Sequence, residues 1–332
     1  MLGDVASINL RLFQIKVTHF IIFIQSNQVM IMNHINRRCF LKTTAGLLAT
    51  PALLSSASGA SKSNEMDRIG MTTVVYRARF EATKDKNSGP LTNALTLAEI
   101  PEFYADRFKI HNIEFWSKHF ESQEKSYLDT IKDAVAKTNS KLTNLQIDSS
   151  YNLATDKESQ RNQSINLIKQ WIDVAAYLGM SSVRANCGSG KVETAIQSLK
   201  LLNEYAKSKN IMMLAENHGG ISMQPDTLMK IIQSVDSPNL RGLPDFGNYP
   251  NNEVRYPALK ALMPYAHLIS AKVFELNEKG QHPAYDYGKC LKIAEENGFK
   301  GIYSIEQWTP KPIAQTQEEI VDWAIQQIQA AI

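Results

Sequence analysis

Eight short β-rich runs, each followed by enough chain for one helix, predict a single-domain (β/α)8 (TIM) barrel over residues 61–332. The runs begin near Met71 (MTTVVY), His111 (HNIEFW), Leu142 (LTNLQID), Ser182 (SVRAN), Ile211 (IMMLAE), Leu240 (LRGLPDF), Leu268 (LISAKVF) and Gly301 (GIYSIEQW). Their starts lie 28 to 40 residues apart, the length of a strand, a helix and two loops. An open doubly wound sheet is the competing arrangement, but eight units of such even size favour closure. No Pro-, Gly- or Ser-rich linker follows residue 66, which argues against a second domain.

The intervening segments carry helix signals. Thr155-x-x-Glu158 reads as a capping box ahead of IKQWIDVAAYL, with Gly179 just past the end. Val192, Ala195, Ile196, Leu199, Leu202 and Ala206 keep helical spacing. Pro225-Asp226 opens a helix with Leu228, Met229, Ile231, Ile232 and Val235. Thr316-x-x-Glu319 caps the last one, which places Ile320, Val321, Ala324, Ile325 and Ile328 on one face. Cys187-Gly188-Ser189-Gly190-Lys191 looks like a phosphate loop, but Ala185 and Val192 break that pattern, so it reads as a strand-to-helix turn.

The N-terminal segment is of another kind. Asn36-Arg37-Arg38-Cys39-Phe40-Leu41-Lys42 precedes the moderately apolar TTAGLLATPALLSSASGA and small residues at Ser58-Gly59-Ala60. Residues 32–60 therefore resemble a twin-arginine signal peptide, which implies a periplasmic or extracytoplasmic location and no membrane attachment after cleavage. Residues 1–31 fit no signal architecture, and Met32 stands where a natural start would fall; the expectation is an upstream start-site artefact. The chain carries a net charge of +3. Residues 1–60 hold Arg11, Lys16, Arg37, Arg38 and Lys42 against Asp4, a net of +4 that leaves the body at −1. A near-neutral body offers no electrostatic footprint for nucleic acid. Its two cysteines, Cys187 and Cys290, read as small buried residues.

In a barrel of this type the chemistry lies at the C-terminal ends of the strands. The polar residues that end the predicted strands are Glu114 and Trp116, Asp148, Arg184 and Asn186, Glu216 and His218, Asp245 and Asn248, Ser270 and Lys272, and Glu306 and Trp308. Glu216, Asp245 and Glu306 would converge at one mouth. Three carboxylates together raise one another's pKa values or recruit a cation. Oxygen-rich ligands suit Mn²⁺ or Mg²⁺ better than Zn²⁺. The alternative for each carboxylate taken alone is a helix cap or a lysine partner.

AENHGG (215–220), LPDFGNYP (243–250), SIEQW (304–308), VRAN (183–186) and NIEFW (112–116) resemble the xylose isomerase-like barrel superfamily. The likeness is greatest to its sugar-phosphate isomerase/epimerase group, which includes ketose 3-epimerases and hydroxypyruvate isomerases, and it covers most of residues 68–332. The resemblance implies four metal ligands, Glu-Asp-His-Glu, from strands 5 to 8. Glu216, Asp245 and Glu306 match three of them, while Ser270 replaces the expected histidine. Three outcomes follow: a weaker three-carboxylate Mn²⁺ or Mg²⁺ site, which is preferred; Lys272 pairing with the carboxylates in place of the ion; or a barrel that binds sugar without catalysis.

The implied activity is that of a sugar isomerase or epimerase. A proton next to a keto-sugar carbonyl is removed and returned through an enediolate, with Glu216, Glu306 and Lys272 as catalytic residues. A lyase that expels the aglycone of a 3-keto-glycoside is the close alternative. Arg184, His218, Asn248, Lys272, Glu114 and His282 would hold the substrate, and Trp116 and Trp308 would stack on it. Export favours a non-phosphorylated saccharide as the small-molecule partner, and a homo-oligomer stays open. A trinuclear zinc nuclease of the same barrel type is disfavoured by five histidines in the body and its near-neutral charge.

Overall fold

Eight parallel strands wrap into a barrel in the order β6-β5-β4-β3-β2-β1-β8-β7. They are β1 (Ile69–Thr72), β2 (Asn112–Trp116), β3 (Lys141–Ile147), β4 (Ser182–Ala185), β5 (Met212–Glu216), β6 (Leu240–Leu243), β7 (Leu268–Val273) and β8 (Ile302–Gln307). One helix follows each: α1 (Ile100–Phe108), α2 (Lys125–Lys137), α3 (Glu158–Leu178), α4 (Val192–Ser208), α5 (Pro225–Val235), α6 (Asn252–Leu262), α7 (Tyr287–Glu296) and α8 (Gln317–Ala331). This computed structural model describes residues 65–309 and 313–332. The twin-arginine segment and the stretch before it lie outside the described residues. Among the described residues, no helix is long and apolar enough to cross a membrane.

Strand alternation separates two cores. Outward residues such as Ile113, Leu145, Val183, Met213, Ile269 and Ile305 pack against the helices in the main core. Inward residues fill the bottom of the barrel, where Leu214, Leu243 and Leu268 cluster with Met212 and Ile302. Above them the inward positions turn polar, with Ser270 and Ser304 paired in register and Lys272 paired with Glu306 one alternation higher. The apolar floor thus gives way to a charged mouth within a few residues of each strand.

The barrel closes weakly between β6 and β7. Only the bridges Gly242 to Ala266 and Asp245 to Ser270 join them. Pro244 lacks an amide hydrogen and interrupts the ladder there, though its carbonyl accepts from Ser270 N at 3.0 Å. This seam holds Asp245 beside Ser270, at the position the site needs. On the other side of the barrel, a register shift between Ile113 and Glu114 brings Glu114 opposite Asn144.

Two local expectations differ from the structure. The first strand ends at Thr72 rather than running to Tyr76, because the Thr72 hydroxyl accepts from Val74 N and starts a 3₁₀ segment. Thr155 does not cap α3; its hydroxyl accepts from Lys157 N, and the helix begins at Glu158 without a side-chain cap. The Thr316–Glu319 capping box is present in full. Cys187 and Cys290 are free and buried.

Candidate active site

The mouth of the barrel is a cavity of about 330 Å³, at the small end of ligand pockets, lined by residues from most of the strands. Val74, Trp116, Lys118, Gln146, Asp148, Arg184, Glu216, His218, Asn248, Lys272, Glu306 and Trp308 form its wall. Most of the residues expected from the strand ends are therefore brought together. A larger cavity of about 600 Å³ lies on the outside among α6, α7 and α8 and holds neither the paired carboxylates nor the buried cations. We place the chemistry in the smaller one because charged groups converge there.

Two ion triads organise the mouth. In the first, Arg184 on β4 bridges Asp148 (Nη1 to Oδ1, 2.6 Å) and Glu216 (Nε to Oε2, 3.0 Å). Trp116 Nε1 donates to the other Asp148 oxygen at 2.7 Å. In the second, Lys272 Nζ bridges Asp245 Oδ2 at 2.8 Å and Glu306 Oε1 at 2.9 Å. Asn248 links the triads: its Nδ2 donates to Glu216 Oε1 at 3.2 Å, and its Oδ1 accepts from Lys272 Nζ at 2.8 Å. Both cations are almost wholly buried.

Burial and pairing set the protonation states. Burial works against the Lys272 ammonium, but Asp245 and Glu306 override it and hold its pKa well above the usual lysine value. Lys272 is thus a fixed cation and not a nucleophilic amine. Burial would raise Asp148, yet the Arg184 guanidinium 2.6 Å away holds its carboxyl well below the usual range. Glu216 goes the other way. Burial pushes it far up, Arg184 opposes this, and the carboxylates of Asp245 and Glu306 reinforce it. Upward is the physically sound direction, because Arg184 is shared with Asp148 and Lys272 with two other carboxylates. Burial thus favours the protonated form of Glu216 over its carboxylate. His218 is held down by burial and by Arg184, so its imidazole is neutral. Its Nδ1 lies 3.2 Å from Asn186 Nδ2, which leaves Nε2 to carry the proton.

Aromatic rings form the outer wall. Trp116 and Trp308 meet edge to face at 6.3 Å, and the Arg77 guanidinium lies 4.4 Å over the Trp308 ring. Trp308 is 40% exposed, so it offers an apolar face at the rim.

Two expectations change. His282 does not reach the mouth: its Nε2 accepts from Phe274 N at 3.1 Å, its Nδ1 faces Tyr285 O at 3.2 Å, and the ring anchors its own loop on the outer side. Glu114 lies beneath the cavity, where it accepts from Asn144 Nδ2 and Ser304 Oγ, each at 2.5 Å, and burial raises its pKa. In the AENHGG turn, a Cβ on Gly220 would collide with Gly188 O, so this glycine packs one loop on the next. Gln146, Lys118 and Arg77 belong to the mouth or its rim and are absent from the strand-end residues picked out in the sequence. Gln146 lies on the inward alternation of β3 and donates to Glu306 Oε2 at 3.2 Å, so the period-2 pattern would have found it.

A family model of the xylose isomerase-like TIM barrel matches residues 105–329. The chain belongs to that family. No curated protein sequence matches it. Solved structures of the same fold include a xylose isomerase-like TIM barrel protein from Mycobacterium smegmatis in complex with magnesium. That protein is 14% identical, with a TM-score of 0.57, over 80% of this chain and 97% of its own. D-psicose 3-epimerase from Clostridium cellulolyticum, solved with D-tagatose, is 13% identical, with a TM-score of 0.57, over 80% and 96%. A 3-keto-D-glucoside 4-epimerase from E. coli is 12% identical, with a TM-score of 0.57, over 77% and 98%. At these identities the likeness concerns the fold.

The magnesium of the first relative raises the question of whether an ion fits here. The donor set does not fit one as arranged. Asp245 Oδ1 accepts from Gly247 N and Asn248 N at 2.6 and 3.0 Å, and its Oδ2 faces Lys272. Glu216 faces Asn248 and Arg184, and Glu306 faces Lys272, Gln146 and, at 3.4 Å, the Ser270 hydroxyl. Arg184 and Lys272 nitrogens thus lie within ion-pair distance of all three carboxylates, although Glu216 Oε2 and Asp245 Oδ2 are buried without a hydrogen-bond partner. No histidine stands at Ser270 to complete the set. Among the described residues, no group of three or more His, Cys, Asp or Glu is arranged to hold a metal.

Proposed function

We propose that this chain is an exported sugar isomerase or epimerase that moves a proton next to the carbonyl of a non-phosphorylated keto-sugar. The observation that carries the reading is a pair of carboxyl groups, Glu216 and Glu306, facing one sugar-sized mouth beside the fixed cations Arg184 and Lys272, with burial favouring the protonated form of Glu216. In this reading the Glu306 carboxylate takes the proton from the carbon beside the carbonyl. The electron pair moves onto the carbonyl oxygen, and the enediolate charge is met by the Lys272 ammonium. Glu216 then gives its proton back. Return to the former carbonyl carbon, with the adjacent hydroxyl's proton passing to the former carbonyl oxygen so that the new C=O forms at the adjacent carbon, isomerises the sugar; return to the opposite face of the same carbon epimerises it. Trp116 and Trp308 supply the apolar wall against which a sugar ring stacks. The twin-arginine motif, Arg37-Arg38, supports export and hence a saccharide from outside the cell.

The test is solvent exchange. Keto-hexoses and 3-keto-glucosides are incubated with the protein in deuterium oxide and followed by NMR. Deuterium should enter the carbon next to the carbonyl, and Glu306→Gln should abolish it. Glu216→Gln should slow proton return and remove the loss of activity at high pH that accompanies Glu216 ionisation. Release of an aglycone in place of exchange would favour the lyase. Binding without exchange or release would leave a sugar-binding barrel and defeat the proposal.

A further inference from the structure

We infer that the Lys272 ammonium takes the place of a divalent ion in this barrel, so that the three-carboxylate mouth is a built-in cation site that excludes metal. Four observations carry this. The Lys272 ammonium sits among three oxygens: its nitrogen lies 2.8 Å from Asp245 Oδ2 and 2.9 Å from Glu306 Oε1 as ion pairs, and it donates a hydrogen bond to Asn248 Oδ1 at 2.8 Å. The stem is held as well as the head. A Cβ on Gly247 would lie 2.6 Å from Lys272 Cδ, so the glycine leaves a slot that this side chain fills. The Lys272 carbonyl accepts from the Tyr285 hydroxyl, which fixes the strand behind it. Ser270, one alternation below, bridges Asp245 through the backbone and offers its hydroxyl to Glu306. An imidazole at that position would be a ligand; a hydroxyl is a weak one.

An arriving divalent ion would meet an ammonium ion already seated between two of its three carboxylates. Lys272 is 4% exposed and has no solvated position to retreat to without leaving its slot. The inference concerns what the mouth binds, and it stands whichever reaction the mouth performs.

The experiment is a Mn²⁺ titration of the full-length protein after chelator treatment and dialysis, read by the EPR signal of free Mn²⁺ with no substrate present. Wild type should bind no stoichiometric ion up to about 1 mM, a concentration that corresponds to negligible affinity. Ser270→His combined with Lys272→Met should bind one ion per chain, at least about tenfold more tightly than wild type. Adding Asp245→Asn should remove that gain. One Mn²⁺ bound per wild-type chain with the affinity of the double variant overturns the inference, and so does a folded double variant with no gain. Should circular dichroism show that the double variant is unfolded, the wild-type titration decides alone: no binding supports the inference and stoichiometric binding overturns it. Loss of the exchange activity proposed above has no bearing on this readout.

Discussion

Replacing Lys272 with Met keeps most of the stem and removes the charge. In the native protein the ammonium lies 2.8 Å from Asp245 Oδ2 and 2.9 Å from Glu306 Oε1. Both carboxylates are nearly inaccessible, Asp245 at 0% and Glu306 at 7%. Removing one side of a buried ion pair costs about 3–5 kcal/mol, because an uncompensated charge is left behind. Urea unfolding at about pH 8 should show a loss of that order, a large share of the roughly 5–15 kcal/mol available to a domain. The loss must also depend on pH in a definite direction. Without the ammonium, the folded variant favours the neutral acids more than its unfolded chain does. A group of that kind stabilises the fold below its unfolded pKa, and the contribution is lost as pH rises. The deficit of the variant should therefore shrink on acidification, by up to about 1.4 kcal/mol per pH unit for each carboxylate involved. Combining Asp245→Asn with Lys272→Met removes one of the two stranded charges and should recover part of the loss at about pH 8. A deficit below about 1 kcal/mol, the worth of an exposed ion pair, would refute the buried bridge. So would a deficit that is the same at acid and alkaline pH.

Two further outcomes follow from neighbouring contacts. Gly247→Ala brings a Cβ to 2.6 Å from Lys272 Cδ and 2.9 Å from Phe274 Cζ. It should cost about 1–3 kcal/mol by overpacking, and an unchanged urea midpoint would show that the slot is loose. His119 stacks on Phe80 at 3.7 Å between the Thr73 and Thr83 hydroxyls, and burial pushes its pKa from 6.5 down to about 3. Because the folded value is depressed, its contribution is present above pH 6.5 and is lost as pH falls towards about 3. His119→Gln should flatten the acid limb of the stability profile by about 1.4 kcal/mol per pH unit in that window; parallel profiles would count against a neutral buried imidazole.

The barrel is legible because its two periodicities are plain in the sequence. Runs of apolar strand residues recur at even spacing, and helical stripes fill the gaps. The convergence of Glu216, Asp245 and Glu306 is legible for the same reason, since all three stand at strand ends. Their partners are harder to read. Asp148 stands at the end of β3, but its bond to Arg184 depends on how two strand tops lean together. In the sequence, Lys272 is one of three ways to satisfy the carboxylates. The choice among them rests on Gly247, whose missing side chain means nothing until β7 is folded beside it. His282 misleads because a loop histidine near a barrel mouth resembles a ligand, whereas its Nε2 accepts a backbone hydrogen bond within its own loop.

Charge balance ties these particulars together. Asp148, Glu216, Asp245 and Glu306 face Arg184 and Lys272, and the Arg77 guanidinium acts on Glu306 from the rim. A proton on Glu216, the form that burial favours, makes these charges cancel. A divalent ion added to this arrangement would leave an excess of positive charge in a buried space unless Lys272 left it. An enediolate, by contrast, brings a single negative charge next to cations that are already in place and need not reorganise. A proton on Glu216 would thus have two consequences. It balances a mouth that holds more carboxylates than fixed cations, and it is the proton that such an intermediate would need.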